Sequence, residues 1–116
     1  MREILFRGKC IGNGEWAKGS LVIWGDGSCW IDSGSLTEPM ACVIPKTVGQ
    51  FTGLTDKNGT KIFEGDILAL RTGRPHIVKF EDGGFVLTDT AIPIRHADKL
   101  VIGNIHDNPE LLGGES

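Results

Sequence analysis

Paired carboxylates, imidazoles with thiols, and a short run of cations beside aromatics are the residues of this chain whose types could do chemistry. Glu64 and Asp66 stand two apart, and on one continuous strand such a pair would point to a single face, where it could serve acid–base work or a hard divalent ion. No third oxygen ligand follows at a useful spacing, so a solvated turn is the plainer expectation. Asp56, Asn58 and Glu64 likewise fail the ligand order and loop length of a calcium hand. His76, His96 and His106 are scattered, and no His-x-x-x-His or Cys-x-x-Cys places two ligands on one turn, which leaves a zinc site unsupported. Ser28, Ser33 and Ser35 lack a nucleophile elbow, while Gly12-Asn13-Gly14 and Gly25-Asp26-Gly27 open no helix that could cradle a phosphate. From these residues we expect no enzyme, no cofactor and no metal.

Two groups could instead bind. Arg71, Arg74, His76 and Lys79 form a basic run without an acid just before Phe80. If they shared a face with Lys57 or Lys61, a groove for a phosphate backbone or an acidic partner would result; ordinary exposed surface is the alternative. Trp16, Trp24 and Trp30 fall on predicted hairpins, where indoles serve either as core or as anchors of a protein interface.

Short strands between turns must position these groups. Alternation predicts strands over Glu3–Lys9, Trp16–Trp24, Cys29–Ile31 and Ala41–Ile44, the last stopped by Pro45. Gly49 to Thr55 leads across Asn58-Gly59, a pair favoured in type I′ turns, into Lys61-Ile62-Phe63. Gly65 permits a bend before Asp66 and the apolar run to Leu70. His76–Phe80 and Phe85–Thr88 form a hairpin over Glu81-Asp82-Gly83-Gly84, and Lys99–Ile105 closes the series. Asn108 is placed to cap a helical turn begun by Pro109. The expected fold is mainly β: an SH3-like or similar five-strand barrel over residues 47–112, an N-terminal β-hairpin extension over 1–46, one short C-terminal helical turn, and a flexible tail over 113–116.

Composition narrows the function classes. Seventeen glycines and five prolines in 116 residues leave few windows for a helix. Lys+Arg 12 against Asp+Glu 15 gives a net charge of -3, which weakly repels nucleic acid and anionic membranes. No run approaches the roughly 20 apolar residues of a membrane span. The charged opening Met1-Arg2-Glu3 is unlike a secretory leader. Cys10, Cys29 and Cys42, odd in number and widely spaced, are expected as reduced thiols, so a bacterial cytoplasm is the expected home.

The segment Gln50-Phe51-Thr52-Gly53-Leu54-x-Asp56-Lys57-Asn58-Gly59-x-x-Ile62-Phe63-Glu64-Gly65-Asp66-Ile67 closely resembles the YopX family of phage and prophage proteins. The opening Met1-Arg2-Glu3-Ile4-x-Phe6-Arg7 and the closing Val101-Ile102-Gly103-Asn104-Ile105-x-x-Asn108-Pro109-Glu110-Leu111-Leu112 are similar to it as well. The resemblance implies a β-rich fold and brings no established activity, cofactor or catalytic residue. The function expected is a non-enzymatic phage or prophage accessory protein that binds a host or phage protein or a second copy of itself. A nucleic-acid-binding small barrel is the alternative.

Overall fold

A computed structural model describes residues 4–71, 74–90, 93–96 and 98–112. The tail over 113–116 and the first residues of the predicted opening strand lie outside them. Ten strands are present among the described residues: β1 Phe6–Lys9, β2 Trp16–Ile23, β3 Cys29–Asp32, β4 Ala41–Val43, β5 Gly49–Thr55, β6 Lys61–Phe63, β7 Asp66–Ala69, β8 Pro75–Glu81, β9 Gly84–Leu87 and β10 Leu100–Asn104. Three 3₁₀ turns, Pro45–Thr47, Ile94–His96 and Pro109–Leu112, are the helical elements among the described residues. The expectation of a mainly β protein with a short C-terminal helical turn is met. The chain divides into two compact units, Met1–Phe51 and Thr52–Ser116.

In the first unit, alternation turns Ala17 and Leu21 of β2 toward Cys29, Ile31 and Val43, and Phe6, Cys10 and Val48 complete this cluster. Antiparallel ladders run from β4 through β3, β2 and β1 to β5. The sheet curls until β4 meets the end of β1. Cys10 bridges Val43, with the Ile11 N–H donating to the Cys42 carbonyl at 3.0 Å and the Ile44 N–H to the Lys9 carbonyl at 2.9 Å. This approach requires glycine at position 8, since a Cβ there would lie 2.7 Å from a Val43 methyl.

In the second unit, Ile62, Leu68, Leu70, Val78, Leu87 and Ile94 form the core, with Leu54, Phe85 and Val101 against it. Its sheet runs β10-β7-β8-β9, with β10 and β9 as edges. Closure of this sheet into a five-strand barrel is not found among the described residues.

One turn departs from its expected geometry. A type I′ turn needs positive φ at both central residues, yet at Lys57-Asn58-Gly59 only Gly59 has it, at 83°. The Gly59 N–H donates to the Asp56 carbonyl and the Asp56 N–H to Thr60, which makes a three-residue loop ending in a left-handed glycine. The Asp56 carboxylate favours this wider loop by accepting the N–H groups of Asn58 and Thr60, both at 2.9 Å. The type I′ turn occurs instead at Asp82-Gly83, with φ of 51° and 82°, between the paired Glu81 and Gly84.

Candidate functional site

The outer face of the first unit's sheet collects the tryptophans. Opposite the core-facing Ala17 and Leu21, the intervening positions of β2 are Trp16, Lys18, Ser20 and Val22. Val22 pairs with Trp30, and Trp30 with Cys42, so a row of three side chains crosses three strands. Lys9 pairs with Trp16, and Arg7 with Lys18, which adds cations to the same face.

The three indoles differ. Trp24 is 53 % exposed, and its ring lies 6.2 Å from that of the half-buried Trp30 at an interplanar angle of 51°. Such a tilted pair is attractive beyond its buried area. A chain of hydrogen bonds fixes Trp30. Its Nε1–H donates to Ser28 Oγ at 3.0 Å, and Ser28 Oγ donates to Asp26 Oδ1 at 2.7 Å. Asp26 also accepts the Ser28 N–H at 2.9 Å. The Ser28 backbone bond first, and its hydroxyl bond second, hold the Asp26 carboxyl below its ordinary value. Trp16 is half-buried, with the Arg7 guanidinium 4.8 Å from its ring centroid. The cation–π contact ties it into the sheet.

Of the basic run, three side chains lie at the surface and one does not. Arg71, Arg74 and Lys79 are exposed, but His76 is 5 % exposed and its Nδ1–H donates to the Thr88 carbonyl at 2.6 Å. Strand parity turns Lys79 to the face opposite His76.

The remaining polar groups are committed to the backbone. Gly65, with φ of 94°, breaks the strand between Glu64 and Asp66, so the expected shared face is absent. Asp66 is 2 % exposed and its Oδ2 accepts the Phe63 N–H at 2.8 Å. Asp56 bonds its own loop and, through Oδ2, the Val101 N–H at 2.9 Å. Burial raises its pKa, but the bonds from Val101, Thr60 and Asn58, with the Lys99 charge, outweigh burial and leave it lowered. Cys10, Cys29 and Cys42 are free thiols, and Cys10 and Cys42 line an open concavity of about 440 Å³. No group of three or more metal-ligating side chains occurs among the described residues.

Sequence reasoning missed Asp26, Ser28 and Val22 as supports of the indole pair. Asp-x-Ser at a glycine turn signals local side-chain bonding, but Trp30 as its recipient follows only from the fold.

A model of the YopX protein family matches residues 26–113. The chain belongs to the YopX family. The crystal structure of protein EF1440 from Enterococcus faecalis is similar, with a TM-score of 0.67 and 27% identity over 97% of this chain and 99% of that one. No curated protein matches.

The residues shared with YopX proteins have plain structural roles here. Gly53, Gly59 and Gly65 take positive φ, Asp56 and Asp66 accept backbone N–H groups, and Gly103 leaves room for Asn108 and Leu111. Asn108 acts backward in the chain: its Oδ1 accepts the Asn104 N–H at 3.2 Å.

Proposed function

We propose that this YopX protein is a non-enzymatic accessory protein of phage or prophage origin that works in the bacterial cytoplasm by docking another protein. The docking face is Trp24, Trp30 and Val22 on the outer side of the N-terminal sheet. The observation that carries this reading is the exposure of Trp24, 53 % of its surface, beside an indole fixed by its own hydrogen bonds. A rigid aromatic surface loses little conformational entropy on contact, which is why Trp is over-represented among the residues that dominate binding energy.

Site-specific photo-crosslinking from position 24 in the bacterial host, followed by mass spectrometry, tests the reading. One defined protein partner is expected, whose capture from lysate fails with Trp24→Ser and Trp30→Ser. A protein that stays monomeric and crosslinks to nothing specific would sink it.

Single-stranded nucleic acid is the second reading, favoured by Lys9 and Lys18 on the face that carries the tryptophans. Bases stack on aromatic rings while cations follow the backbone. Binding to oligothymidine that weakens steeply with salt would select this reading over the first. Arg71, Arg74 and Lys79 lie in the other unit and enter neither reading.

A further inference from the structure

The outer edge of β9 in the second unit, which pairs with no strand among the described residues, has the features of a strand acceptor. In the hairpin with β8, Glu81 pairs with Gly84, Phe80 with Phe85, Lys79 with Val86 and Val78 with Leu87. A two-residue loop makes Glu81 and Gly84 a hydrogen-bonded pair, so the main-chain groups of Gly84 and Val86 turn toward β8. Those of Phe85 and Leu87 turn away from it. β9 is the last strand of its sheet, and neither Phe85 nor Leu87 has a hydrogen bond on that outer side among the described residues.

Beside this edge lies a cavity of about 340 Å³ lined by Phe85, Leu87, Pro93, Ile94 and Arg95. Its apolar walls suit one aliphatic or aromatic side chain, and its charged lining residue is the exposed Arg95. The Phe80 ring packs edge-on against Phe85 at 5.0 Å and stiffens the neighbouring wall.

We propose that β9 accepts an extended peptide segment as an added strand, with an apolar side chain in the cavity and a neighbouring carboxylate on Arg95. The outward N–H and C=O groups of Phe85 and Leu87 supply the main-chain bonds, and the cavity and Arg95 select the side chains. A second copy of this chain is the poorer occupant. Antiparallel pairing of two β9 strands about Val86 would bring the Glu81-Asp82 turn of each copy toward Asp89 of the other, and like charges so placed repel. This surface belongs to the second unit and the tryptophan face to the first, and the proposal stands whether or not that face docks a partner.

Selection of random octapeptides displayed on phage against the intact protein tests the proposal. Enriched peptides should alternate apolar and polar residues around an Asp or Glu, and a synthetic copy should slow amide exchange at Phe85 and Leu87. Arg95→Glu, with an unchanged melting temperature as the folding control, should weaken that peptide by about tenfold or more, and a repeated selection on the variant should turn to Lys or Arg. No enrichment, protection of other amides, or indifference to Arg95→Glu would overturn the proposal. So would concentration-dependent protection of Phe85 and Leu87 without peptide, which would make a second copy the occupant.

Discussion

Asp56 shows how one carboxylate can hold a loop and a strand together. Its oxygens accept N–H groups from Asn58, Thr60 and Val101, and it is only 6 % exposed. Asp56→Asn keeps the volume but loses the charge and turns an amide NH2 toward a donor. Chemical denaturation should show a loss of about 2–3 kcal/mol. The pH dependence has a definite sign: the folded pKa lies below 3.8, so the stabilisation is complete above that value and fades as pH falls through the lowered folded pKa. Acid unfolding of the wild type should therefore lose, in Asp56→Asn, the portion that lies below the ordinary aspartate range. An identical acid profile in the two proteins would contradict this role. Asp26 follows the same sign, since its pKa is also lowered from 3.8. The indole of Trp30 should keep its environment down through that pH and be released only below it. Tryptophan emission followed against pH in the wild type and in Ser28→Ala checks this, because the variant lacks both links of the hydrogen-bond chain and should show no such step.

At the scale of elements, alternation and turn residues made most strands legible while leaving their partners hidden. The strand from Cys29 and the pair around Glu81 to Gly84 were readable because apolar alternation and glycine turns coincide there. Asn58-Gly59 misled on turn type, because the Asp56 side chain supplies bonds that a dipeptide preference ignores. Glu64 and Asp66 misled because a left-handed Gly65 breaks the two-residue period between them. The curl of β1 to β4 was invisible for another reason: it depends on Gly8 facing Val43, a contact between residues far apart in sequence. Gly8→Ala tests that contact directly. Its methyl would have to enter space 2.7 Å from Val43, which is fully buried, so a loss of about 1–3 kcal/mol is expected from overpacking. Gly12→Ala, where nothing lies within 4 Å of the added carbon, is the control and should stay near the wild type.

For the whole molecule, the mainly β class followed from composition, and the YopX resemblance from ordered motifs along most of the chain. The candidate surfaces were less legible. Tryptophans could be located in sequence, but exposure decides between core and interface, and exposure is set by the packing of three strands. The basic run looked coherent because its residues are adjacent in sequence, whereas a strand sends neighbours to opposite faces. The division into two units has an energetic counterpart in two separate apolar clusters, one around Ile31 and Val43 and one around Leu68 and Val78. Each cluster has members with almost no exposed surface: Ile31 at 1 % and Leu68 at 0 %. Truncating either to alanine should therefore cost about 2–5 kcal/mol through lost burial and an unfilled cavity. Trp24→Ser, at a half-exposed position, should shift stability by only about 0.5 kcal/mol. Hydrogen exchange resolved by residue separates the cases. Ile31→Ala should open the amides of β2 to β4, Leu68→Ala those of β7, β8 and β10, and Trp24→Ser neither. If Trp24→Ser instead opened the ladder of β2 and β3 as widely as Ile31→Ala, Trp24 would belong to the core of that sheet and could not serve as its docking face.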